Sequence, residues 1–311
     1  MSIKKSAAQG LTKASGQRRL PCSHSFFYYV RKEFLTLDYD LKAICRDIRC
    51  DTLTCIGHLG VGHVGGCLSI IELLTELYFK HMRIDPANPK MEGRDRFICS
   101  KGHAGPAVYA ALANRGYFEK DMLLTLNQGG TRLPSHCDMN RTPGIDMTTG
   151  SLGQGFSCAV GVALGSKLAK DGAVIYTLVG DGESQEGQIW EAGMFAASKK
   201  LDNLIAFTDY NKFQIDNTVA EVCDIAPLAE KWAAFGWNVI EVEDGNDLDQ
   251  VDAAIEHAKL GVGSGKPTMV ILNTLKGCGV PWIVELGAGN HNCKLSEEQA
   301  RDAIRAIREE V

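Results

Sequence analysis

Apolar residues recur along the chain at two different periods, which separate predicted helices from predicted strands. Residues 41–55 carry apolar side chains at the spacing of one helix face, as at Leu41, Ile44 and Ile48. Residues 68–79 predict a second, strongly apolar helix, and residues 104–114 predict a helix of small side chains. The short apolar run at residues 96–100 predicts a strand between them.

The second half of the chain alternates regularly between strand and helix patterns. Strands are predicted at residues 173–179, 204–208, 237–242 and 268–272, and helices at residues 185–200, 227–235 and 248–260. Such alternation indicates parallel pairing. The predicted fold class is therefore α/β, a doubly wound, mostly parallel sheet with helices on both faces. A Ser-Glu-Glu-Gln capping pattern starts a last predicted helix at residues 296–308.

Glycine- and proline-rich segments mark the connections between these elements. Residues 57–66 predict a turn and residues 128–149 a long loop, which is followed by a buried helix at residues 151–170. A long irregular stretch inside a compact domain is often functional. We therefore expect part of a binding site in the 128–149 loop.

The first 37 residues differ from the rest, with seven basic residues and no acid before Glu33. We expect residues 1–37 to be a basic, flexible leader; a transit peptide and a misplaced start stay open as alternatives. Residues 38–311 are expected to form one domain.

Composition narrows the protein class. Hydrophobic residues make up 45% of the chain, and the formal net charge of -5 argues against a nucleic-acid binder. No stretch approaches the roughly 20 apolar residues that span a bilayer, so no membrane partner is expected. Eleven cysteines occur without a CxxC pair, so we expect free, buried thiols and a cytoplasmic location, not a zinc site or disulfide framework.

Polar residues follow two of the predicted strands directly. Asp181 lies between two glycines after the 173–179 strand, and Asn211 follows the 204–208 strand, 30 positions later. Ligands of open parallel sheets bind outside the carboxyl ends of the strands. If the two strands are neighbours, a carboxylate and an amide oxygen meet there, as suits Mg²⁺ with a bound diphosphate. The helix that follows would add the positive end of its dipole.

Five motifs in sequence order extend this pattern. The chain resembles the amino-terminal portion of transketolase, especially the short amino-terminal subunit of split transketolases, over about residues 38–291. The motifs that carry the resemblance are Gly-His-Val-Gly-Gly at 62–66, Ser-Lys-Gly-His-Ala at 100–104, Leu-Pro-Ser-His at 133–136, Thr-Gly-Ser-Leu-Gly-Gln-Gly at 149–155 and Gly-Asp-Gly-Glu-Ser-Gln-Glu-Gly at 180–187.

The resemblance implies a thiamine diphosphate-binding fold of the diphosphate-binding type and assigns the site residues. The metal, Mg²⁺ or else Ca²⁺ or Mn²⁺, would be held by Asp181, Asn211 and the main-chain carbonyl of Phe213. Gly182 would lie against the diphosphate, and Gly150 and Leu152 against the aminopyrimidine. Glu186 would help to link paired cofactor sites across subunits.

The family's active-site histidines match His63, His103, His136 and His291. The resemblance implies that these residues line the cofactor, with His63, His103 and His291 among its contacts, and the sugar hydroxyls. Imidazoles near neutral pKa can accept a substrate proton and return it. The other histidines, which lie outside the motifs, are interpreted as ordinary solvated side chains: His24, His58, His81 and His257.

The resemblance also implies what this chain lacks. In the family a second domain grips the aminopyrimidine and supplies a glutamate, and no second strand–helix series follows Asn273. We therefore expect a partner carboxy-terminal subunit with that pyrimidine-binding domain, in an α2β2 assembly.

The expected activity is transfer of a two-carbon ketol unit from a ketose phosphate to an aldose phosphate. Two alternatives stay open: a related thiamine diphosphate reaction such as 1-deoxyxylulose-5-phosphate synthesis, and a non-catalytic assembly half. The donor is also open and includes branched ketose phosphates.

Overall fold

The structure is a computed structural model that describes residues 39–309. The predicted leader at residues 1–37 and its boundary with the domain lie outside the described residues, as do Cys22 and His24.

A five-stranded parallel sheet forms the centre of the described chain, in the order β2-β3-β4-β6-β5. Its strands are β2 Arg96–Cys99, β3 Ile175–Gly180, β4 Leu204–Tyr210, β5 Asn238–Val242 and β6 Thr268–Asn273. Every residue of β3 is buried, as expected for strands that are covered on both faces. The predicted doubly wound α/β class is therefore confirmed.

Helices surround the sheet, and most of the longer ones lie where the apolar pattern predicts them. The α-helices are α1 Leu41–Leu59, α2 Val64–Leu68, α3 Ile71–Glu76, α4 Gly105–Arg115, α5 Gln154–Ala169, α6 Gly187–Ser198, α7 Val219–Cys223, α8 Leu228–Ala234, α9 Leu248–Leu260, α10 Pro281–Glu285 and α11 Glu297–Glu309. A π-helix, Leu77–His81, continues α3, and short 3₁₀ turns occupy Gly102–Ala104, Lys120–Thr125, Gly182–Gln185 and Gly287–Asn290.

Alternate residues of the strands face two separate apolar cores, because successive side chains of a strand point to opposite faces. Tyr176 and Leu178 pack with α1, α3, α4 and α9 on one face. Ile175 and Val179 pack with Phe156 and other residues of α5, α6 and α8 on the second face.

The predicted helix at residues 68–79 was wrong as a single element. The chain forms α2, breaks at Ser69 and Ile70, and then forms α3 and the π-helix. At the break the Ser69 hydroxyl donates to Asp209 Oδ2 at 2.8 Å, which ties this corner to the carboxyl end of β4. The break therefore serves a tertiary contact that local periodicity does not reveal.

The predicted turn at residues 57–66 was also only partly right. Helix α1 continues through Gly57 to Leu59, and a Cβ on Gly57 would lie 2.5 Å from the Cβ of Ala300 in α11. Glycine here allows the two helices to approach closely.

A two-stranded antiparallel pair joins distant parts of the chain. Strand β1, Val61–Gly62, pairs with β7, Cys293–Lys294. This pair brings the segment before His63 beside the segment after His291.

The remaining features concern the loop, the thiols and the helix lengths. Residues 128–149 form turns and irregular structure, as predicted. Ten cysteines in the described part of the chain are free thiols, and six of them are buried. Between residues 39 and 309, every helix is too short or too polar to cross a membrane.

Candidate active site

The carboxyl ends of β3 and β4 bring Asp181 and Asn211 to the same edge of the sheet. The strands are direct neighbours, with Gly180 opposite Asp209. Asp181 Oδ2 accepts a 2.6 Å hydrogen bond from the amide of Lys212, the residue after Asn211. Asn211 Oδ1 in turn accepts from the amide of Phe213 at 3.2 Å. Asp181, after β3, and the segment from Asn211 to Phe213, after β4, therefore meet at this edge of the sheet.

Asp209 lies beneath this region and controls the orientation of Asn211. Its Oδ2 accepts hydrogen bonds from Asn211 Nδ2 at 2.8 Å and from Lys101 Nζ. Because the amide nitrogen of Asn211 points at Asp209, its amide oxygen points toward the Phe213 loop. Both Asp209 and Lys101 are fully buried, so water solvates neither charge and each compensates the other.

The charges around Asp209 set the pKa values of the two aspartates in opposite directions. Burial alone would raise the pKa of Asp209, but Lys101, with hydrogen bonds from Lys101, Thr274 and Ser69, holds that pKa below its usual value. Burial and the neighbouring Asp209 carboxylate raise the pKa of Asp181 to about 7. A cation beside Asp181 would stabilise its ionised form.

These residues are chemically suited to a hard divalent cation with a diphosphate. Oxygen donors from a carboxylate, an amide and a main-chain carbonyl are the ligands that Mg²⁺ prefers. Lys276 Nζ already lies 3.3 Å from the carbonyl oxygen of Phe213, so this oxygen faces a cation. Burial and Lys101 lower the pKa of Lys276 to about 8.

Four histidines from separate segments form a second part of the site, which we term the four-histidine cluster: His63, His103, His136 and His291. The ring centroid of His63 lies 5.2 Å from those of His103 and His291 and 5.9 Å from that of His136. The rings of His103 and His291 are 5.1 Å apart. The ring of His63 therefore lies beside each of the other three predicted active-site histidines.

The fold explains why these rings meet. His63 precedes α2, and His103 lies in the 3₁₀ turn after β2. Gly66 of α2 packs against His103 and Lys101, since a Cβ there would lie 3.4 Å from His103 Nε2 and 3.5 Å from Lys101 Nζ. The β1–β7 pair supplies His291, and the 128–149 loop supplies His136.

The surroundings of the cluster keep its imidazoles neutral. Burial, His136 and Lys101 lower the pKa of His63 to about 4. Burial and Lys276 lower the pKa of His291 to about 3. Burial also lowers the pKa of His136 and, together with Lys101, that of His103. The cluster therefore presents free nitrogen lone pairs at neutral pH.

Two glycines allow the backbone of the 149–155 motif to approach the cluster. Gly150 has φ +142°, and a Cβ there would lie 3.1 Å from the His136 ring. A Cβ on Gly102 would lie 2.7 Å from the Gly150 amide nitrogen. Side chains at either position would push His136 or the backbone away.

The other predicted cofactor residues lie in different surroundings. Leu152 is half-buried and its carbonyl accepts from Gln188 Nε2 at 2.9 Å. The amide of Gly182 donates to Asp181 Oδ1 at 2.7 Å. Glu186 is exposed, and its side chain has no hydrogen bond or ion pair within residues 39–309. Glu186 is therefore not brought into contact with the other site residues.

Sequence reasoning missed four charged residues of the site: Lys101, Glu183, Asp209 and Lys276. Two of them, Lys101 and Glu183, stand inside the quoted motifs, and Asp209 lies two positions before Asn211. Glu183 is buried and accepts from Ser100 Oγ, the Gly153 amide and the Gly180 amide, so it joins three of the motifs. A charged residue in an otherwise apolar strand end was the available signal for Asp209.

The interpretation of His81 as a solvated side chain was wrong. Its side chain is fully buried between the π-helix and α9, among carboxylates. By contrast, His58 is partly exposed and pairs with Glu297 at 3.0 Å, and His257 is exposed.

Comparison with known proteins agrees with this geometry. The family described as "Transketolase, thiamine diphosphate binding domain" matches residues 41–309. The chain is 55% identical over 271 residues to the 6-deoxy-6-sulfo-D-fructose transketolase subunit SqwG of Clostridium sp. (strain MSTE9), covering 87% of this chain and 97% of that protein. It is 38% identical to an apulose-4-phosphate transketolase subunit of Phocaeicola vulgatus, covering 80% of this chain and 87% of the relative.

A solved structure gives the same result for the fold. A mutant transketolase from Pichia stipitis superposes with a TM-score of 0.79 and 32% sequence identity, covering 87% of this chain but 40% of that one. The chain therefore belongs to the transketolase family and corresponds to its amino-terminal, thiamine diphosphate-binding part.

Proposed function

We propose that this chain is one subunit of an enzyme that transfers a two-carbon ketol unit from a ketose phosphate to an aldose phosphate, with thiamine diphosphate and Mg²⁺. The observation that carries the proposal is the convergence of the four-histidine cluster with the Asp181–Asn211 edge, linked through Lys101. Thiamine diphosphate supplies the electron sink for the cleaved carbon–carbon bond when it is bound. The protein then has to position groups and move protons.

Asp181, Asn211 and the Phe213 carbonyl would hold the cation, and Gly182 and the turn that leads into α6 would face the diphosphate. Asp209 and Lys101 would keep Asn211 in the orientation that offers its oxygen. Gly150 and Leu152 would provide backbone and apolar contacts to the aminopyrimidine. These roles rest on the positions of the donors and on the family's pattern.

The four-histidine cluster would exchange protons with the sugar hydroxyls. Its neutral imidazoles are proton acceptors at neutral pH. Negative charge from a bound diphosphate and from a sugar phosphate would raise their pKa values toward neutrality, because an opposite charge favours the imidazolium. The cluster is thus suited to both removal and return of a proton.

Two facts support a separately encoded partner with the pyrimidine-binding domain. The chain covers 97% of a relative that is named as a subunit, but only 40% of a transketolase chain of known structure. We propose an α2β2 assembly, in which the exposed Glu186 is available to a second copy of this chain.

The similarity to the Clostridium protein favours a specific donor class. Because 55% identity extends over 87% of this chain, 6-deoxy-6-sulfo-D-fructose is a second candidate donor besides ketose phosphates. Both donors carry an anionic group at the end far from the carbonyl.

Reconstitution tests the proposal. This chain is mixed with a candidate pyrimidine-domain subunit, thiamine diphosphate and Mg²⁺, and each donor is offered with an aldose phosphate while products are identified by mass spectrometry. We expect two-carbon transfer only when both chains are present. Turnover by this chain alone would refute the partner requirement, and turnover of pyruvate instead of ketoses would support the 1-deoxyxylulose-5-phosphate synthase alternative.

Calorimetry separates an enzyme subunit from a non-catalytic assembly half. With the partner present, we expect Mg²⁺-dependent binding of thiamine diphosphate that is lost in Asp181→Asn and retained in Asp216→Asn, an exposed aspartate of the same edge. Absence of metal-dependent binding in the unaltered protein would favour the non-catalytic alternative.

A further inference from the structure

A second polar cluster lies between two helices, outside the candidate active site. Glu76 ends α3, His81 ends the π-helix, and Asp252 lies in α9. One nitrogen or oxygen atom from each residue lies within 4.8 Å of the other two. We call these three residues the His81 site.

The π-helix accounts for the alignment of Glu76 with His81. Residues five apart in an α-helix point about 140° away from each other. The wider π-turn, which is marked by the 2.9 Å hydrogen bond from the Met82 amide to the Leu77 carbonyl, turns residues five apart toward one face. Both side chains therefore face Asp252.

The polar atoms of the His81 site are buried without adequate partners. Glu76 Oε2 and His81 Nε2 make no hydrogen bond within residues 39–309, although their side chains are 2% and 0% exposed. His81 Nε2 lies 3.4 Å from Glu76 Oε2 and 2.9 Å from Asp252 Oδ1, in directions unsuited to hydrogen bonds. Buried polar atoms left in this way are costly unless a ligand satisfies them.

We propose that Glu76, His81 and Asp252 bind a divalent transition-metal ion of the Zn²⁺ type. Bonds of about 2.0–2.2 Å from Zn²⁺ to nitrogen and oxygen place tetrahedral ligand atoms roughly 3.3 Å apart. The 3.4 Å separation of His81 Nε2 and Glu76 Oε2 agrees with this value. The 2.9 Å contact between His81 Nε2 and Asp252 Oδ1 has to lengthen by about 0.4 Å to reach it, and the Asp252 side chain is 29% exposed.

Groups around the triad complete the arrangement. Glu256 Oε1 lies 3.2 Å from His81 Nδ1, so it can accept the ring N–H while Nε2 binds the metal. Glu256 and Asp252 stand one helical turn apart on α9.

Two lysines border the site and must be considered as competitors of the metal. Lys80 Nζ lies 2.7 Å from Asp252 Oδ1, with its side chain 43% exposed. Lys259 Nζ lies 2.9 Å from His81 Nδ1 and 3.0 Å from Glu256 Oε1. On metal binding Lys80 can swing into solvent. Lys259 can keep its contact with Glu256 but has to give up its contact with His81 Nδ1, because a ring N–H cannot accept a hydrogen bond from an ammonium group.

An open cleft gives the metal a route to the site. The cleft is lined by residues that include Tyr39, Lys80, Asp249 and both carboxylates of the triad, Glu76 and Asp252. Water in this cleft can supply the fourth ligand. A bound ion would tether the α3–π segment to α9.

Titration of the full chain with ZnCl₂ tests the proposal. Excess Mg²⁺ is present to occupy the oxygen ligands near Asp181, and every protein compared, including the reference chain, carries His63→Asn and His291→Asn so that the neutral imidazoles of the four-histidine cluster do not bind Zn²⁺. We expect one Zn²⁺-binding event that also raises the melting temperature. Asp252→Asn and His81→Gln should abolish it, and Glu256→Gln should weaken it about 10- to 100-fold.

His257→Gln is the matched control, because His257 is an exposed histidine of α9, the helix that carries Asp252 and Glu256. It should bind Zn²⁺ like the reference chain. Asp181→Asn should do so as well, because it changes the proposed Mg²⁺ site and leaves the His81 site intact, so failure of the proposed activity and failure of Zn²⁺ binding can be told apart. Circular dichroism checks that each variant is folded. If His81→Gln does not fold, Zn²⁺ binding by Asp252→Asn tests the proposal in its place. Zn²⁺ binding that survives in Asp252→Asn, or no binding by the reference chain, would overturn the proposal.

Discussion

Histidine side chains lie beside positive charges in the four-histidine cluster and among negative charges at the His81 site. Lys101 and Lys276 border the cluster, and burial together with these cations lowers the pKa values of its imidazoles. At the His81 site Glu76, Asp252 and Glu256 surround a single ring. Burial is the largest cause of the low pKa values in the cluster, and the lysines add to it. The comparison teaches that burial and the charges packed beside a ring act together: they favour a neutral imidazole in the cluster, whereas the carboxylates of the His81 site suit the cation proposed above.

The largest expected difference between the two regions is in activity. In the reconstituted enzyme, His103→Gln should lower kcat roughly 100- to 10,000-fold, the usual contribution of a positioned acid–base group. His81→Gln should leave kcat/KM unchanged. Steady-state rates of both variants measure this contrast, and equal losses would remove the functional distinction.

The two regions should also differ in how much the free energy of unfolding falls when one lysine is removed. Lys101→Met leaves Asp209 buried without its cation, so the free energy of unfolding should fall by about 3–5 kcal/mol. Lys80→Met removes a partly exposed cation of the His81 site and should cost at most about 1 kcal/mol. Urea unfolding followed by circular dichroism provides both values; a similar cost for both would contradict the assigned roles of the two lysines.

The lowered pKa values of the cluster predict a pH dependence of stability. An unfolded histidine takes up its proton near pH 6.5, whereas His63 does so in the folded chain only at about pH 4. The unfolded state therefore binds more protons in this interval, and stability is lost as the pH falls through it. His63→Asn should lose less stability than the unaltered chain over the same interval, as measured by urea unfolding at a series of pH values. Parallel curves would show that the folded pKa of His63 is not lowered.

The smallest effect is expected for a histidine outside both regions. His58 pairs with Glu297 across α1 and α11, with side chains 40% and 56% exposed. His58→Ala should change the free energy of unfolding by no more than about 1 kcal/mol. A larger loss in urea unfolding would mean that this surface contact is coupled to the core.

The apolar pattern predicted the strands and most of the helices, because the residues that bury each element lie within one continuous segment of the chain. The four-residue strand β2 was predicted from a short apolar run, and the helix α9 from its place in the alternation of strand and helix patterns. The meeting of Asp181 with Asn211 also followed from sequence, since it needs only that β3 and β4 are neighbours. The confirmed fold class rests on the same alternation.

What sequence reasoning missed depends on contacts between distant segments. Nothing near Lys101 in the chain indicates that it pairs with Asp209, 108 positions away. His81 was interpreted as solvated because it lies outside the motifs, but packing of the π-helix against α9 buries it. Lys276 contacts His291 and Phe213 because the folded loops bring the three residues together, and Lys276 belongs to none of the motifs. Burial of charged groups is a tertiary property, and periodicity does not report it.

The β1–β7 pair has a consequence for how the protein is made. The ribosome releases the segment around Val61 long before Lys294, and the neighbouring contact between His58 and Glu297 spans 239 positions. Pairing over such a separation closes slowly, because loop-closure entropy is lost before the contact forms. The histidines that flank this pair become neighbours only once nearly the whole domain has emerged. A truncated translation product would therefore lack the assembled four-histidine cluster, however well its earlier strands had formed.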